Sequence, residues 1–100
     1  NLEKQQNHLK LSQEYFERAI VVYKAISHGS DHLTVAQATY SLASLLKSDG
    51  KYEEAKPLYL EALRIRKNLL GPYHPEVAQT LRCLGILFKA TRCGEAYLWD

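Results

Sequence analysis

The chain has 100 residues, of which 46% are hydrophobic and 24% are charged, and its formal net charge is +2. A chain of this length and composition forms one small folded domain, which excludes two separate cores and global disorder. Its apolar runs all fall short of the roughly 18 residues that a membrane-spanning helix needs, so we expect no membrane partner.

The first predicted element is a helix over residues 9–28. Residues 1–8 are polar, lack a signal-peptide pattern and are interpreted as an N-terminal extension of that helix. The sequence contains no Met, so we expect it to be a segment of a longer protein.

Two further helices joined by a tight turn are predicted over residues 33–70. Apolar residues recur at helical spacing from Val35 to Leu46. Gly50 ends this helix, because glycine readily adopts the left-handed conformation found just beyond a helix. A second pattern of the same kind starts at Tyr52, and its proline lies within the first two turns, where a missing N–H costs little.

The last predicted helix begins at Pro75, since proline is favoured at the first helical position. Residues 91–94 occupy the place that Ser48-Asp49-Gly50 occupies earlier in the chain, and they predict a second turn. A short fifth helix is then expected from Glu95.

The chain contains an internal repeat of about 42 residues. A shift of 43 residues aligns Phe16 with Tyr59, Ala19 with Ala62, Ile20 with Leu63 and Ile26 with Leu69. A shift of 42 aligns Gly29 with Gly71, His32 with His74, Val35-Ala36-Gln37 with Val77-Ala78-Gln79, Leu42 with Leu84, Leu45 with Leu87 and Lys47 with Lys89. One unit is therefore a helix, a turn, a helix and a connector, and stacking such units buries their wide apolar faces.

The pattern of small and large residues resembles the tetratricopeptide repeat. Leu42-Ala43, Leu46, Ala55, Tyr59 and Ala62 stand at the repeat's recurring positions, and Leu81, Leu84-Gly85 and Phe88 follow one unit later. Small residues at Ala43, Ala55, Ala62 and Gly85 predict a close approach of neighbouring helices. The longer 42-residue period, together with Gly50-Lys51-Tyr52-Glu53-Glu54-Ala55 and Leu70-Gly71-Pro72, resembles the kinesin light chain type of repeat, which nephrocystin shares.

This resemblance implies an all-α fold of antiparallel helix-turn-helix repeats stacked as a right-handed α-solenoid. About 2.5 repeats and five helices are expected. Residues 9–28 would be the second helix of an incomplete repeat, residues 33–70 a complete repeat and residues 75–100 a degenerate or truncated one. Since the end helices lack neighbours, we expect exposed apolar surface at both ends.

Catalysis and metal binding are not favoured. His28 and His32 have the spacing of a helical metal pair, but Gly29-Ser30-Asp31 between them indicates a connector. His74 is expected to hydrogen-bond free backbone groups near a helix start. Cys83 lies mid-helix, without the base and oxyanion pocket that a nucleophile needs. We predict a non-enzymatic protein with no catalytic, metal-binding or cofactor-binding residue.

The resemblance implies that the first helix of each repeat lines an inner groove. Gln37, Ser41, Ser44 and Ser48 form a polar stripe, which fits either a ligand-facing surface or an ordinary solvated face. Kinesin-light-chain-like repeats carry Asn-Asn where this chain has Tyr40-Ser41 and Arg82-Cys83, so the amides that hold a peptide backbone are missing. The groove candidates are Gln37, Ser41, Ser44, Arg66, Gln79, Arg82 and Cys83, among which Arg66 and Arg82, with Gln37 and Gln79, are expected to contact an acidic or polar segment.

The charge distribution agrees with such a partner. Residues 64–92 contain six Lys or Arg and one Glu, a net charge of +5, which attracts acidic groups but is small for a nucleic-acid footprint. We therefore expect a protein or peptide partner and no nucleic acid, with a solvated basic face as the alternative.

The leading functional prediction is a protein–protein interaction module that presents a groove to a peptide within a scaffold or adaptor complex. The alternative is a structural spacer or self-association module, a homo-oligomer formed through the open repeat ends. Cys83 and Cys93 lie ten residues apart without a CxxC motif, which favours an intracellular, cytoplasmic location. A cytoskeletal or ciliary location is implied by the resemblance alone.

Overall fold

A computed structural model describes the backbone of residues 2–28 and 31–99 and the side chains of residues 7–28 and 31–91. Within these residues the chain forms four α-helices and no strand: α1 (Leu2–Ile26), α2 (Leu33–Ser48), α3 (Tyr52–Leu70) and α4 (Pro75–Trp99). Each helix packs on the next along the chain. The radius of gyration is 15.0 Å, against about 13 Å for a compact chain of this length, so the helices form a thin layer of 46 × 36 × 19 Å.

The turn between α2 and α3 reverses the chain over three residues. Gly50 has a φ of +80°, as predicted for a residue just past a helix end. The N–H of Lys51 donates to the carbonyl of Leu46 at 2.9 Å, and that of Gly50 donates to Lys47 at 3.0 Å. These two bonds satisfy carbonyls at the end of α2, which ends the helix without loss of hydrogen bonding.

Histidine side chains cap the first helix turn of both α2 and α4. The backbone N–H of Thr34 donates to Nδ1 of His32, and that of Glu76 donates to Nδ1 of His74, each at 3.1 Å. The prediction for His74 is confirmed, and the same contact occurs at the repeat-equivalent histidine. Each imidazole supplies the acceptor that Ser, Thr or Asp supplies at most helix starts.

Helices α2 and α3 are antiparallel, because Ser44 pairs with Tyr59 while the earlier Gln37 pairs with the later Arg66. The core lies between α2, α3 and α4. The larger cluster of buried apolar side chains consists of Leu42, Ala43, Leu46, Ala55, Tyr59, Leu84 and Leu87, against which Phe16 and Ile20 of α1 pack.

The prediction of five helices is wrong for the described residues. α4 continues without a break from Pro75 to Trp99, so residues 91–94 form no turn and no separate helix starts at Glu95. This segment lacks the Asp49-Gly50 pair that ends α2, and Thr91 donates its hydroxyl back to the carbonyls of Leu87 and Phe88. A glycine inside a helix costs only about 1 kcal/mol, which continuous backbone hydrogen bonding outweighs.

Candidate functional site

Arg66 lies at the centre of a polar cluster that joins three helices. Its side chain is 2% exposed. Nη2 donates to Oε1 of Gln37 on α2 at 3.0 Å, and Nη1 donates to Oγ1 of Thr80 on α4 at 2.8 Å. The guanidinium carbon lies 4.6 Å from the centre of the Tyr40 ring. One side chain of α3 therefore fixes the positions of α2 and α4.

The charge of Arg66 is compensated by neutral groups. Both of its hydrogen-bond acceptors are uncharged oxygens, and the third contact is the face of an aromatic ring, which attracts cations through its quadrupole. A buried charge needs such partners because it has lost its water. None of these three partners carries a negative charge.

Two tyrosine hydroxyls extend the cluster. Oη of Tyr40 lies 3.0 Å from Sγ of Cys83, and Oη of Tyr59 lies 2.9 Å from Oγ of Ser44. The Tyr40 and Tyr59 rings meet edge to face with centroids 5.5 Å apart. Burial, and then the contact with Cys83, raises the pKa of Tyr40 to about 12, and burial also raises the pKa of Tyr59. Both phenols therefore stay neutral at physiological pH.

A cleft of about 240 Å³ lies beside this cluster, between α1 and α2. We call it the α1–α2 cleft; its lining residues are Phe16, Ala19 and Tyr23 of α1 and Thr34, Gln37, Ala38 and Ser41 of α2. The α1 wall is aromatic and aliphatic, and the α2 wall presents two hydroxyls and an amide. Gln37 links the cleft to Arg66, because the arginine holds its amide oxygen. Such a surface can hold an apolar side chain while hydrogen-bonding a polar group next to it.

The predicted groove residues fall into four groups. Gln37 and Ser41 line the α1–α2 cleft. Ser44 and Cys83 are half-buried, and both contact tyrosine hydroxyls. Gln79 and Arg82 are exposed on α4. Arg66 is buried, and its guanidinium bonds to groups inside the protein.

Sequence reasoning missed Tyr40 as the residue that contacts both Arg66 and Cys83, and it missed Phe16 and Tyr23 as one wall of the cleft. It also treated Arg66 as a surface cation. Tyr59, Ala62 and Arg66 follow one another at spacings of three and four, so they share one face of α3. That spacing was the available signal that Arg66 is buried.

The described side chains include no group of three or more His, Cys, Asp or Glu arranged to hold a metal ion. Cys83 is a free thiol. Cys93, the second cysteine of the sequence, lies outside the described side chains. No described helix combines the length and the hydrophobicity required to cross a membrane.

The tetratricopeptide repeat family model matches the chain twice, over residues 1–68 and residues 34–96. The chain belongs to the tetratricopeptide repeat family. It is 38% identical to nephrocystin-3 of Xenopus laevis over 90 residues, which cover 88% of the chain and 7% of that protein. It is 28% identical to tetratricopeptide repeat protein 23 of Mus musculus over 79 residues, which cover 79% of the chain and 16% of that protein.

These similarities assign the chain to the nephrocystin-like type of tetratricopeptide repeat protein. The chain spans a small part of the length of both relatives. Tetratricopeptide repeats are a non-catalytic interaction fold, so family membership suggests a protein–protein interaction module. In the polar cluster around Arg66, the guanidinium, the tyrosine hydroxyls and the Cys83 thiol all bond to other protein groups.

Proposed function

We propose that this chain is a protein–protein interaction module that holds an acidic or polar peptide segment of a partner on the surface formed by α1, α2 and α4. The α1–α2 cleft carries the proposal. It combines an apolar wall, an amide held in place by Arg66 and a serine hydroxyl within one depression of about 240 Å³. A peptide side chain would enter the cleft, while its backbone hydrogen-bonds Gln37 and Ser41.

Electrostatics support an acidic segment. Arg66 places a charge behind the cleft that its neutral partners do not cancel, and Arg82 exposes a second cation on α4. Gln79 is exposed one turn before Arg82 and adds an amide. We assign contact with the peptide to Gln79 and Arg82, whereas Arg66 acts through Gln37. The affinity should fall with salt, because exposed charges are screened.

The rigidity of the polar cluster supports binding without rearrangement. Arg66, Tyr40 and Thr80 bridge α3, α2 and α4, and Arg66 also holds the amide of Gln37, so the α2 wall of the cleft is held in place. A preorganised site loses less conformational entropy on binding than a mobile one. This supports recognition by the helices themselves, in place of the Asn-Asn clamp of kinesin-light-chain-like repeats.

The repeat boundaries are part of the proposal. We take α1 as the second helix of an incomplete repeat, residues 33–70 as a complete repeat and α4 as the first helix of a truncated one, within a right-handed α-solenoid. The repeat-equivalent histidine caps at His32 and His74 support this division. We further propose a cytoplasmic scaffold or adaptor complex as its setting.

The test uses three fluorescent peptide pools of equal length that are acidic, neutral-polar or basic, with binding followed by anisotropy. We expect the acidic pool to bind best. Ser41→Trp should abolish binding by filling the cleft, and Arg82→Glu should weaken it at least tenfold. Ser48→Trp, exposed at the end of the same helix, and Lys67→Glu, an exposed cation of α3, are the matched controls.

Equal binding of all three pools would contradict the acidic preference. Binding that survives Ser41→Trp would place the peptide elsewhere on the protein. Folding of each variant is checked by circular dichroism before binding is measured.

A further inference from the structure

One face of α4 is apolar and uncovered. We call it the α4 open face; it consists of Ala78, Leu81, Gly85 and Phe88. Leu81 is 51% exposed and Phe88 is 47% exposed, with Nζ of Lys56 lying 4.9 Å from the centre of the Phe88 ring. A Cβ added at Gly85 would meet no atom within 4 Å. The close helix approach predicted from the small size of Gly85 therefore does not occur within the described chain.

The equivalent face of α2 is fully covered. A shift of 42 residues relates Ala78, Leu81, Gly85 and Phe88 to Ala36, Thr39, Ala43 and Leu46, which are all at most 4% exposed. Ala36 packs with Ile65 of α3. The position of Gly85 thus corresponds to a small residue over which two helices meet. The α4 open face has the composition of a helix-packing face, and among the described helices none covers it as α3 covers α2.

α1 shows the complementary situation. A shift of 43 residues relates Val22 of α1 to Ile65 of α3; the first is 53% exposed and the second 1%, because α2 covers α3. Tyr15 is exposed, whereas its equivalent Leu58 packs on the core. A depression of about 550 Å³ runs along this side of α1, lined by Glu14, Glu17, Arg18, Val21 and Val22. We call this surface the α1 open face.

We propose that the α4 open face of one molecule packs on the α1 open face of a second copy, in the antiparallel arrangement in which α2 packs on α3. The interface within the chain supplies the template, since α4 is the equivalent of α2 and α1 is the equivalent of α3. Both α1 and α4 are longer than the α2 and α3 that form the template, with 25 residues each against 16 and 19.

A second copy is the occupant that the repeat relationship selects. To be covered as α2 is, the α4 open face needs a helix equivalent to α3 whose apolar side is free. To be covered as α3 is, the α1 open face needs a helix equivalent to α2 whose apolar side is free. This chain carries both. The contact is heterologous, so each added copy presents a new free face and the assembly grows head to tail. The inference is independent of the α1–α2 cleft and of peptide binding.

The experiment measures the solution mass of the wild-type chain by sedimentation velocity over a concentration series from micromolar to millimolar. Two variants each block one face: Val22→Glu on α1 and Leu81→Glu on α4. Leu60→Glu is the matched control, because Leu60 is 48% exposed on α3 and belongs to neither face. Each substitution replaces an exposed side chain, and circular dichroism verifies that the helices are intact.

We expect the wild type and Leu60→Glu to grow beyond dimers as concentration rises, while Val22→Glu and Leu81→Glu each remain at the monomer mass of 11.4 kDa. Mixing the two blocked variants should restore association and stop it at a one-to-one dimer, because the free α4 of one docks on the free α1 of the other. This rescue also shows that neither variant failed through misfolding.

Three results would overturn the proposal. The first is a wild type that stays monomeric at all concentrations. The second is assembly that persists in either single variant, which would indicate contact between two identical faces. The third is a mixture that stays monomeric.

Discussion

The guanidinium carbon of Arg66 lies 4.6 Å from the centre of the Tyr40 ring, although the two residues belong to different helices and are 26 positions apart. The same arginine donates to Gln37 and Thr80, and the same tyrosine contacts Cys83. The pair therefore connects α2, α3 and α4 beside the α1–α2 cleft. Its integrity should decide both the stability of the repeat and the geometry of the proposed site.

Arg66→Ala should lower the free energy of unfolding by about 2–4 kcal/mol, because it removes two hydrogen bonds from a charged donor and leaves a cavity. The measurement is urea denaturation followed by far-ultraviolet circular dichroism. Lys67→Ala, at the exposed neighbouring position, should change the free energy of unfolding by less than about 0.5 kcal/mol. Equal effects of the two substitutions would show that the buried contacts of Arg66 contribute nothing.

Alkaline pH should destabilise the fold through Tyr40. The pKa of Tyr40 is about 12 in the folded chain and about 10 in an unfolded chain. The contribution of Tyr40 to the free energy of unfolding is therefore fully present below pH 10 and is lost as the pH rises through 12. In Tyr40→Phe the free energy of unfolding should fall less steeply above pH 10. The remaining slope comes in part from Tyr59, whose pKa is raised as well.

This pH dependence is checked by urea denaturation across the alkaline range, together with absorbance titration of the tyrosinates. Tyr73→Phe is the control, because Tyr73 is fully exposed on the connector. Parallel pH profiles for wild type and Tyr40→Phe would contradict the assignment to Tyr40.

Thr39→Val should raise the free energy of unfolding by about 1 kcal/mol. Thr39 is completely buried, and its hydroxyl oxygen has no hydrogen-bond partner. Valine keeps the shape and removes the unpaired polar atom. Thr80→Val is the matched control on α4: its hydroxyl accepts from Arg66 and donates to the carbonyl of Glu76, so the same replacement should destabilise. Thermal unfolding of both variants distinguishes the two environments.

Alanine should have opposite effects at two glycines. Gly50 has a φ of +80°, so Gly50→Ala should cost about 1–2 kcal/mol through backbone strain. Gly85 lies inside α4 with open space around it, so Gly85→Ala should stabilise the chain by about 0.5–1 kcal/mol. Chemical denaturation measures both. A loss of stability at position 85 would contradict the open space around this glycine.

Much of the fold was predictable because its signals are local. Apolar spacing predicted α2 and α3, Gly50 predicted the turn between them, and Pro75 predicted a helix start next to His74. The end of α4 was predicted wrongly. Residues 91–94 align with Ser48-Asp49-Gly50 in the repeat, which predicted a turn, but they lack the Asp-Gly pair that ends α2. A repeat period identifies equivalent positions, but the residues at those positions decide whether the backbone turns.

The candidate site was predicted in part. The four-residue spacing of Gln37 and Ser41 predicts that they share one face of α2. Both line the α1–α2 cleft, and their contact with a peptide stays a prediction. The aromatic wall from Phe16 and Tyr23 was not predicted, since it comes from a different helix. The role of Arg66 also changed: its residue type suggested a surface cation, whereas its position on the face shared with Tyr59 and Ala62 places it in the interior.

The bounds of α2 and α3, the turn at Gly50 and the cap at His74 follow from the amino-acid sequence, because each depends on residues within one or two helical turns. The tertiary structure decided which helix faces are covered. Leu46 and Phe88 occupy equivalent positions, yet one is 4% and the other 47% exposed, because α3 lies over α2 and no equivalent described helix lies over α4. Spacing assigns a side chain to a face; only the packing of neighbouring helices determines whether that face contacts protein or water.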